Sequence, residues 1–167
     1  MITLEIEQSC QRLFTWNQDQ LIAHNIAYQQ WQHEPIFDFA TDIKVAKQLG
    51  WQGTHSKSLF IKTKNSGTYA VFVTDKDSRM DGKAIKCVLG QRVTICSDDE
   101  MQSQIGCFPG AVCPFGLDAS VSLVIDKHLL SHDEVFYTPG KPDITFALSG
   151  KGLEQLLSTL PNPVHVI

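Results

Sequence analysis

Gly106-Cys107-Phe108-Pro109-Gly110-Ala111-Val112-Cys113-Pro114-Phe115-Gly116-Leu117 holds three glycines and two prolines in twelve residues. Such a segment cannot be a regular helix or a central strand. Phe108, Ala111, Val112, Phe115 and Leu117 are apolar, so the loop is expected to pack against the protein and not to be a solvated linker. Glycine lets another group approach the backbone closely. A loop of this kind can aim N–H groups into a pocket and hold a carbonyl or an oxyanion. A buried turn between two elements has the same composition, and the loop alone leaves both readings open.

The segments around the loop give the fold class. Before it, Ser97-x-x-Glu100 reads as a capping box for a helix that carries Met101 and Ile105 and stops at Gly106. Further upstream, 58–63 and 69–74 read as two strands joined by Lys64-Asn65-Ser66-Gly67, a turn rich in residues that accept positive φ. Ala84, Ile85, Val88 and Leu89 mark an amphipathic helix over 82–89, ended by Gly90, and 93–96 is a short strand. After the loop, 121–126, 134–137 and 143–148 read as strands. The alternation in the first and last suggests a mixed sheet with one well-buried face. Leu153, Leu156, Leu157 and Leu160 predict a closing helix that Pro161 ends.

The N-terminal part is less regular. Leu4 and Ile6 alternate with Glu5 and Glu7, whereas Leu13 and Phe14 suit a helix equally, so the pattern leaves 1–16 ambiguous. Asn17-x-x-Gln20 resembles a capping box for a short helix, with Asn25 ending it in the left-handed region. A strand over 26–33 follows. Thr41 is expected to cap a helix holding Ile43, Val45, Ala46 and Leu49, closed by Gly50. The fold expected is a single α+β (mixed α/β) domain over 17–167, with helices packed on a curved mixed sheet.

Composition narrows the class. With 167 residues, 43 % hydrophobic and 19 % charged, the chain is an ordinary globular domain with enough length for a sizeable core. No run approaches a membrane span, and the N-terminus has no basic, then apolar, leader. Five cysteines without C-x-x-C spacing argue against a disulfide framework and fit a reducing, cytoplasmic setting. Cys107 and Cys113 read better as buried structural thiols than as zinc ligands. The net charge of −4 hides a segregation: residues 44–92 hold ten basic and three acidic residues, the remainder four and fifteen. A basic segment on an acidic protein can still attract a polyanion locally. Solvated lysines on helix faces would give the same count.

The motifs exclude several chemistries. There is no G-x-S-x-G elbow, no H-E-x-x-H, no P-loop and no G-x-G-x-x-G. His55 and Ser56 are neighbours on a strand and so face opposite ways. His33, His128 and His132 have no spacing that selects one of them.

One combination remains. His55-Ser56-Lys57-Ser58-Leu59-Phe60-Ile61 places a lysine at the mouth of an apolar strand. About fifty residues on, Gly110-Ala111-Val112-Cys113-Pro114 gives G-x-x-x-P and then Phe-Gly-Leu. In this order the chain resembles the YbaK-type, prolyl-tRNA-editing family of aminoacyl-tRNA deacylases. The resemblance runs through Tyr28, His33-Glu34-Pro35-Ile36-Phe37, Asp77-x-Arg79-x-Asp81 and the last helix, roughly from Asn17 to Leu160, and it implies that 1–16 is an N-terminal extension. It implies a trans-editing hydrolase that needs neither cofactor nor metal. Alanyl-tRNA(Pro) is the first candidate substrate, with Ser-, Thr- or Cys-charged tRNA as alternatives. A non-catalytic module of the same fold that binds tRNA or a synthetase is the rival.

The resemblance also assigns residues. Lys57 would hold the tRNA 3′ end and the Gly110 backbone the ester carbonyl, while Phe37, Ser58, Phe108, Ala111 and Pro114 would shape the amino-acid pocket. Relatives that act on alanyl-tRNA often carry Asn directly after the lysine, where this chain has Ser58. The expected partner is the acceptor end of an aminoacyl-tRNA, with a synthetase or elongation factor as a further candidate. Neither membrane nor DNA is expected.

Overall fold

A computed structural model describes residues 2–167. One helix, α1 (Ile2–Ala23), opens the chain, followed by β1 (Gln29–Gln32), α2 (Phe39–Leu49), β2 (Thr54–Thr63) and β3 (Tyr69–Asp75). Next come α3 (Gly82–Leu89), β4 (Val93–Ile95), α4 (Asp98–Ile105), β5 (Ser122–Ile125) and a 3-10 turn (Lys127–Ser131). The chain closes with β6 (Val135–Tyr137), β7 (Ile144–Leu148), α5 (Gly150–Ser158) and β8 (Val164–Val166). The strands form a mixed sheet in the order β1-β7-β6-β2-β3-β5-β8, with β4 also pairing with β2. This is the mixed α/β single domain expected from the sequence.

The sheet is buried on both faces, not on one. Along β3, Val71 and Val73 point into the main core with Phe60, Leu123, Ile125, Phe146 and Leu156, whereas Ala70 and Phe72 point the other way. There they meet Ile61, Ile85 and Val124 under α3. Alternation within β5 therefore sorts two apolar layers from each other, and β5 and β7 are both buried throughout.

Most helix ends follow the expected chemistry. Ser97 caps α4 by accepting from the Glu100 amide, and Gly50, Gly90 and Gly106 close α2, α3 and α4 in the left-handed region. Asn25 is left-handed as expected, at φ 54°. α2 differs: Asp38, not Thr41, is its N-cap, and the Asp38 carboxylate accepts from the Thr41 amide at 2.7 Å. The strand expected over 26–33 shortens to β1, and β8, absent from the sequence reading, adds a parallel strand beside β5.

The largest correction concerns the N-terminus. α1 runs unbroken through the position where a boundary was expected after residue 16, and Asn17 lies within it instead of capping it. Ile6, Cys10, Leu13 and Leu21 form its buried stripe, at helical spacing, and Asn17 is part of it with no exposure at all. The Asn17 amide nitrogen lies 2.9 Å from Leu13 O and 3.0 Å from Phe115 O, and its oxygen accepts from Tyr137 Oη at 3.0 Å. The helix thus lies against the glycine-proline loop. A Cβ on Gly116 would meet the Trp16 ring at 2.8 Å, and one on Gly140 would meet Cys10 O at 2.7 Å.

Candidate functional site

β2 is the strand that makes the site. Its first residues, Thr54 and His55, pair with β6, and its last, Ile61 to Thr63, pair with β4, both on the edge away from β3. Between these two ladders that edge has no strand beside it among the described residues. The backbone bonds fix which residues face the gap. His55 O accepts from Lys76 N on the β3 side, whereas Phe60 O accepts from Cys96 N on the β4 side. Alternate residues of a strand direct their backbone groups oppositely. The N–H and C=O of Ser58 therefore face the gap.

A cavity of about 430 Å³ occupies this opening. Its walls include the Ile36–Phe39 segment, β2 from His55 to Phe60, Gly110 and Val112 of the glycine-proline loop, and Tyr137 at the end of β6. Phe37, Phe39 and Ile95 stand at 46 %, 53 % and 57 % exposure, the large apolar residues that the folded chain leaves open at this cavity. Lys76 Nζ sits 5.5 Å from the centre of the Phe39 ring.

The loop residues are placed by a tight turn. Ala111 N donates to Phe108 O at 3.0 Å, and Gly110 has φ +80° as the third residue of a Phe-Pro-Gly-Ala turn. Pro109 presets the turn and Gly110 supplies the positive φ. A Cβ on Gly110 would overlap the Phe37 carbonyl and lie 2.7 Å from its carbon. The close approach expected at Gly110 is thus used by the Phe37 backbone, which pins the loop to the segment before α2. The amides of Gly110 and Val112 have no acceptor among the described residues, and both residues line the cavity.

Of the residues assigned from the sequence, Lys57, Ser58, Phe37 and Gly110 come together on this cavity. Phe108 supports its wall, packed edge-on against Phe37 with ring centres 5.7 Å apart. Ala111 and Pro114 are buried behind the loop and do not line the cavity. Lys57 is the fourth residue of β2, not its first, and lies opposite Thr74. Its ammonium has no carboxylate within ion-pair distance among the described residues. Ser78 holds the Asp75 carboxyl below the usual range by a hydrogen bond, and the charge of Lys57 acts in the same direction.

Several lining residues were not singled out by sequence. His55 is 8 % exposed, and its Nδ1 lies 3.1 Å from both carboxylate oxygens of Asp42. Trp51 and Phe136 pack against the His55 ring, at 5.3 and 5.0 Å between centres. The signal was present: His55 lies two residues before Lys57, on the same face of β2. Asp42 carried none, because only the docking of α2 brings it there.

Other polar groups are accounted for elsewhere. Lys62 and Tyr69 both reach Glu100, at 2.9 and 2.7 Å, and these bonds hold the Glu100 carboxyl below its ordinary range. Burial pushes the Cys96 thiol up to about 11 and the Cys107 thiol up to about 12. Among the described residues no three metal-ligating side chains gather at one point, and no helix is long and apolar enough to cross a membrane.

Comparison with known proteins points one way. The model of the aminoacyl-tRNA editing domain matches residues 38–156, a stretch that holds α2, β2, the glycine-proline loop and the cavity's lining apart from Ile36 and Phe37. The chain is 29 % identical over 116 residues to the prolyl-tRNA editing protein ProX of Acetoanaerobium sticklandii, covering 66 % of this chain and 71 % of that protein. It is 26 % identical over 112 residues to the uncharacterized protein YwhH of Bacillus subtilis, covering 67 % of this chain and 64 % of that one. Among solved structures, hypothetical protein APE2540 superposes with a TM-score of 0.74 at 21 % identity, over 89 % of this chain and 96 % of that one. A candidate trans-editing enzyme for prolyl tRNA synthetase superposes with a TM-score of 0.71, also at 21 % identity, over 95 % of each chain. Likenesses at that identity establish the fold.

Proposed function

The chain belongs to the aminoacyl-tRNA editing domain family, and on that premise we propose that it is a trans-editing deacylase that hydrolyses mischarged aminoacyl-tRNA, with alanyl-tRNA(Pro) as the first candidate. One observation carries the reading: a single cavity holds a lysine without an ion-pair partner, the open edge of β2 and two backbone amides without acceptors, all among the described residues. An aminoacyl ester on a terminal ribose offers the matching groups. Its phosphate and ribose oxygens suit Lys57, and its ester carbonyl suits the Gly110 and Val112 amides. Neither Lys57 nor those amides need act as a nucleophile, because the ester is already reactive and a positioned water completes the reaction. The neighbouring ribose hydroxyl helps to orient that water.

Selection of the amino acid falls to the walls. A synthetase pocket built for proline cannot by itself reject smaller amino acids sufficiently, which is the reason for a second hydrolytic site. Phe37, backed by Phe108, and Ser58 bound the cavity here. Ser58, standing where relatives that act on alanyl-tRNA often have Asn, keeps seryl-, threonyl- and cysteinyl-tRNA as the alternative substrates. The acceptor end of the tRNA is the partner, with a synthetase or elongation factor delivering it. The test is deacylation of a panel of mischarged tRNAs by the purified chain. Turnover of one or more identifies the substrate. Binding without turnover of any would make the chain a recruiting module.

A further inference from the structure

The His55–Asp42 pair has no part in the reading above. Asp42 lies on α2 and His55 on β2, and both border the cavity. With Asp42 at 3.1 Å from Nδ1, the neutral imidazole carries its proton on Nδ1 and its lone pair on Nε2. Nε2 has no hydrogen-bond partner among the described residues, yet it is not among the buried atoms left without one. It therefore keeps access to solvent, on a residue that borders the cavity. Packing of Trp51 and Phe136 against the ring holds this orientation. A carboxylate that fixes the tautomer, and an imidazole nitrogen left bare toward a pocket, together make the orienter and base of a hydrolytic site.

We propose that His55, positioned by Asp42, is the general base of the deacylation, an inference that rests on the deacylase reading. Water attacks the ester carbonyl carbon as His55 Nε2 takes one of its protons, and the carbonyl oxygen becomes the oxyanion facing the Gly110 and Val112 amides. Collapse breaks the bond to the ribose oxygen, and the imidazolium returns the proton to that oxygen. The free amino acid and the tRNA hydroxyl leave, and the imidazole is neutral again. Asp42 remains a carboxylate throughout. The other charged side chains bordering the cavity are Asp38, Lys57, Lys76 and Asp98, and His33 packs edge-on against the Trp51 ring.

The test is single-turnover hydrolysis of alanyl-tRNA(Pro), or of whichever panel member the unmutated protein hydrolyses fastest, across pH. His55→Ala is expected to lower the rate roughly 100-fold or more. It should also remove the acidic limb, because a base is lost when it is protonated. Added imidazole should restore turnover in proportion to its neutral fraction. Asp42→Asn should lower the rate by more than any loss of stability accounts for, because the imidazole loses the carboxylate that fixes its tautomer. It also decides the matter should His55→Ala not fold. A folded His55→Ala protein that keeps both the rate and the limb overturns the inference, since that limb then belongs to the amine of the substrate. A loss that follows melting temperature alone and resists imidazole does the same. Absence of turnover in the unmutated protein is a different result, which removes the deacylase reading and this inference with it.

Discussion

Tyr137 Oη donates to Asn17 Oδ1 at 3.0 Å with both residues buried, joining the end of β6 to the middle of α1. The Asn17 amide also lies within bonding distance of Phe115 O and Leu13 O, so one side chain ties the helix, the glycine-proline loop and β6 together. Asn17→Ala strands the Tyr137 hydroxyl away from water and leaves the Phe115 carbonyl only the weak Cys113 thiol as donor. Each such group costs about 1–3 kcal/mol, so denaturant unfolding should show a loss of about 3 kcal/mol. Asn17→Asp should be worse, because it removes the donor and buries a charge. A chain beginning at residue 17 should not unfold cooperatively, since Ile6, Cys10 and Leu13 leave the core. A stable truncated chain would show α1 to be dispensable.

Gly110→Ala should act on the fold before it acts on the chemistry. The added methyl meets the Phe37 backbone, and φ +80° disfavours any side chain. Strain of this kind costs roughly 1–3 kcal/mol, and the Phe37 segment must move to relieve it. Deacylation and melting temperature are expected to fall together, across all substrates. A mutant of unchanged stability that has lost turnover would mean that the methyl blocks the substrate instead.

These two cases show where the sequence was legible. Local chemistry read well: Ser97, Gly50, Gly90 and Gly106 end helices by groups within four residues of them, and the 58–63 and 69–74 strands pair as expected. α1 did not, because its buried stripe includes Ser9, Cys10 and Asn17, and a polar residue in a core stripe looks like a break in it. The lysine strand and the loop could be placed on one site, since a resemblance orders them. The gap in β2 could not, because it depends on β6 and β4 pairing with different ends of one edge. Asp42 reaches His55 across 13 residues through the docking of α2, and no spacing rule encodes that contact.

The cysteines offer a direct check of the packing. Cys87 is exposed, whereas Cys10, Cys96, Cys107 and Cys113 are buried. Burial raises all four of these thiols, Cys107 to about 12 and Cys113 well above its ordinary value. The thiolate is the nucleophile, so these groups are inert near pH 8 for reasons of both access and charge. Iodoacetamide on the native protein should add one group, on Cys87, and five after denaturation. Rapid labelling of Cys107 or Cys113 in the native state would contradict the loop packing described here.

Lys57 carries the most direct test of the cavity. It projects from the middle of β2 with no carboxylate in ion-pair contact among the described residues, so removing it breaks no ion pair. Lys57→Ala should leave stability within about 0.5 kcal/mol, the usual range for a substitution away from such features. Its effect on deacylation should be large, on the order of 100-fold, the scale for losing one charged or polar contact to the reacting group. Lys57→Arg should also be impaired, because a planar fork does not occupy the position of a compact ammonium. If Lys57 meets phosphate, the remaining activity of the alanine variant should depend less on salt than that of the unmutated protein, since one fewer counterion is released. Melting curves, rates at two salt concentrations and both variants together decide it. Full turnover by Lys57→Ala would take the lysine out of the site and leave the strand edge and the loop amides to hold the substrate alone.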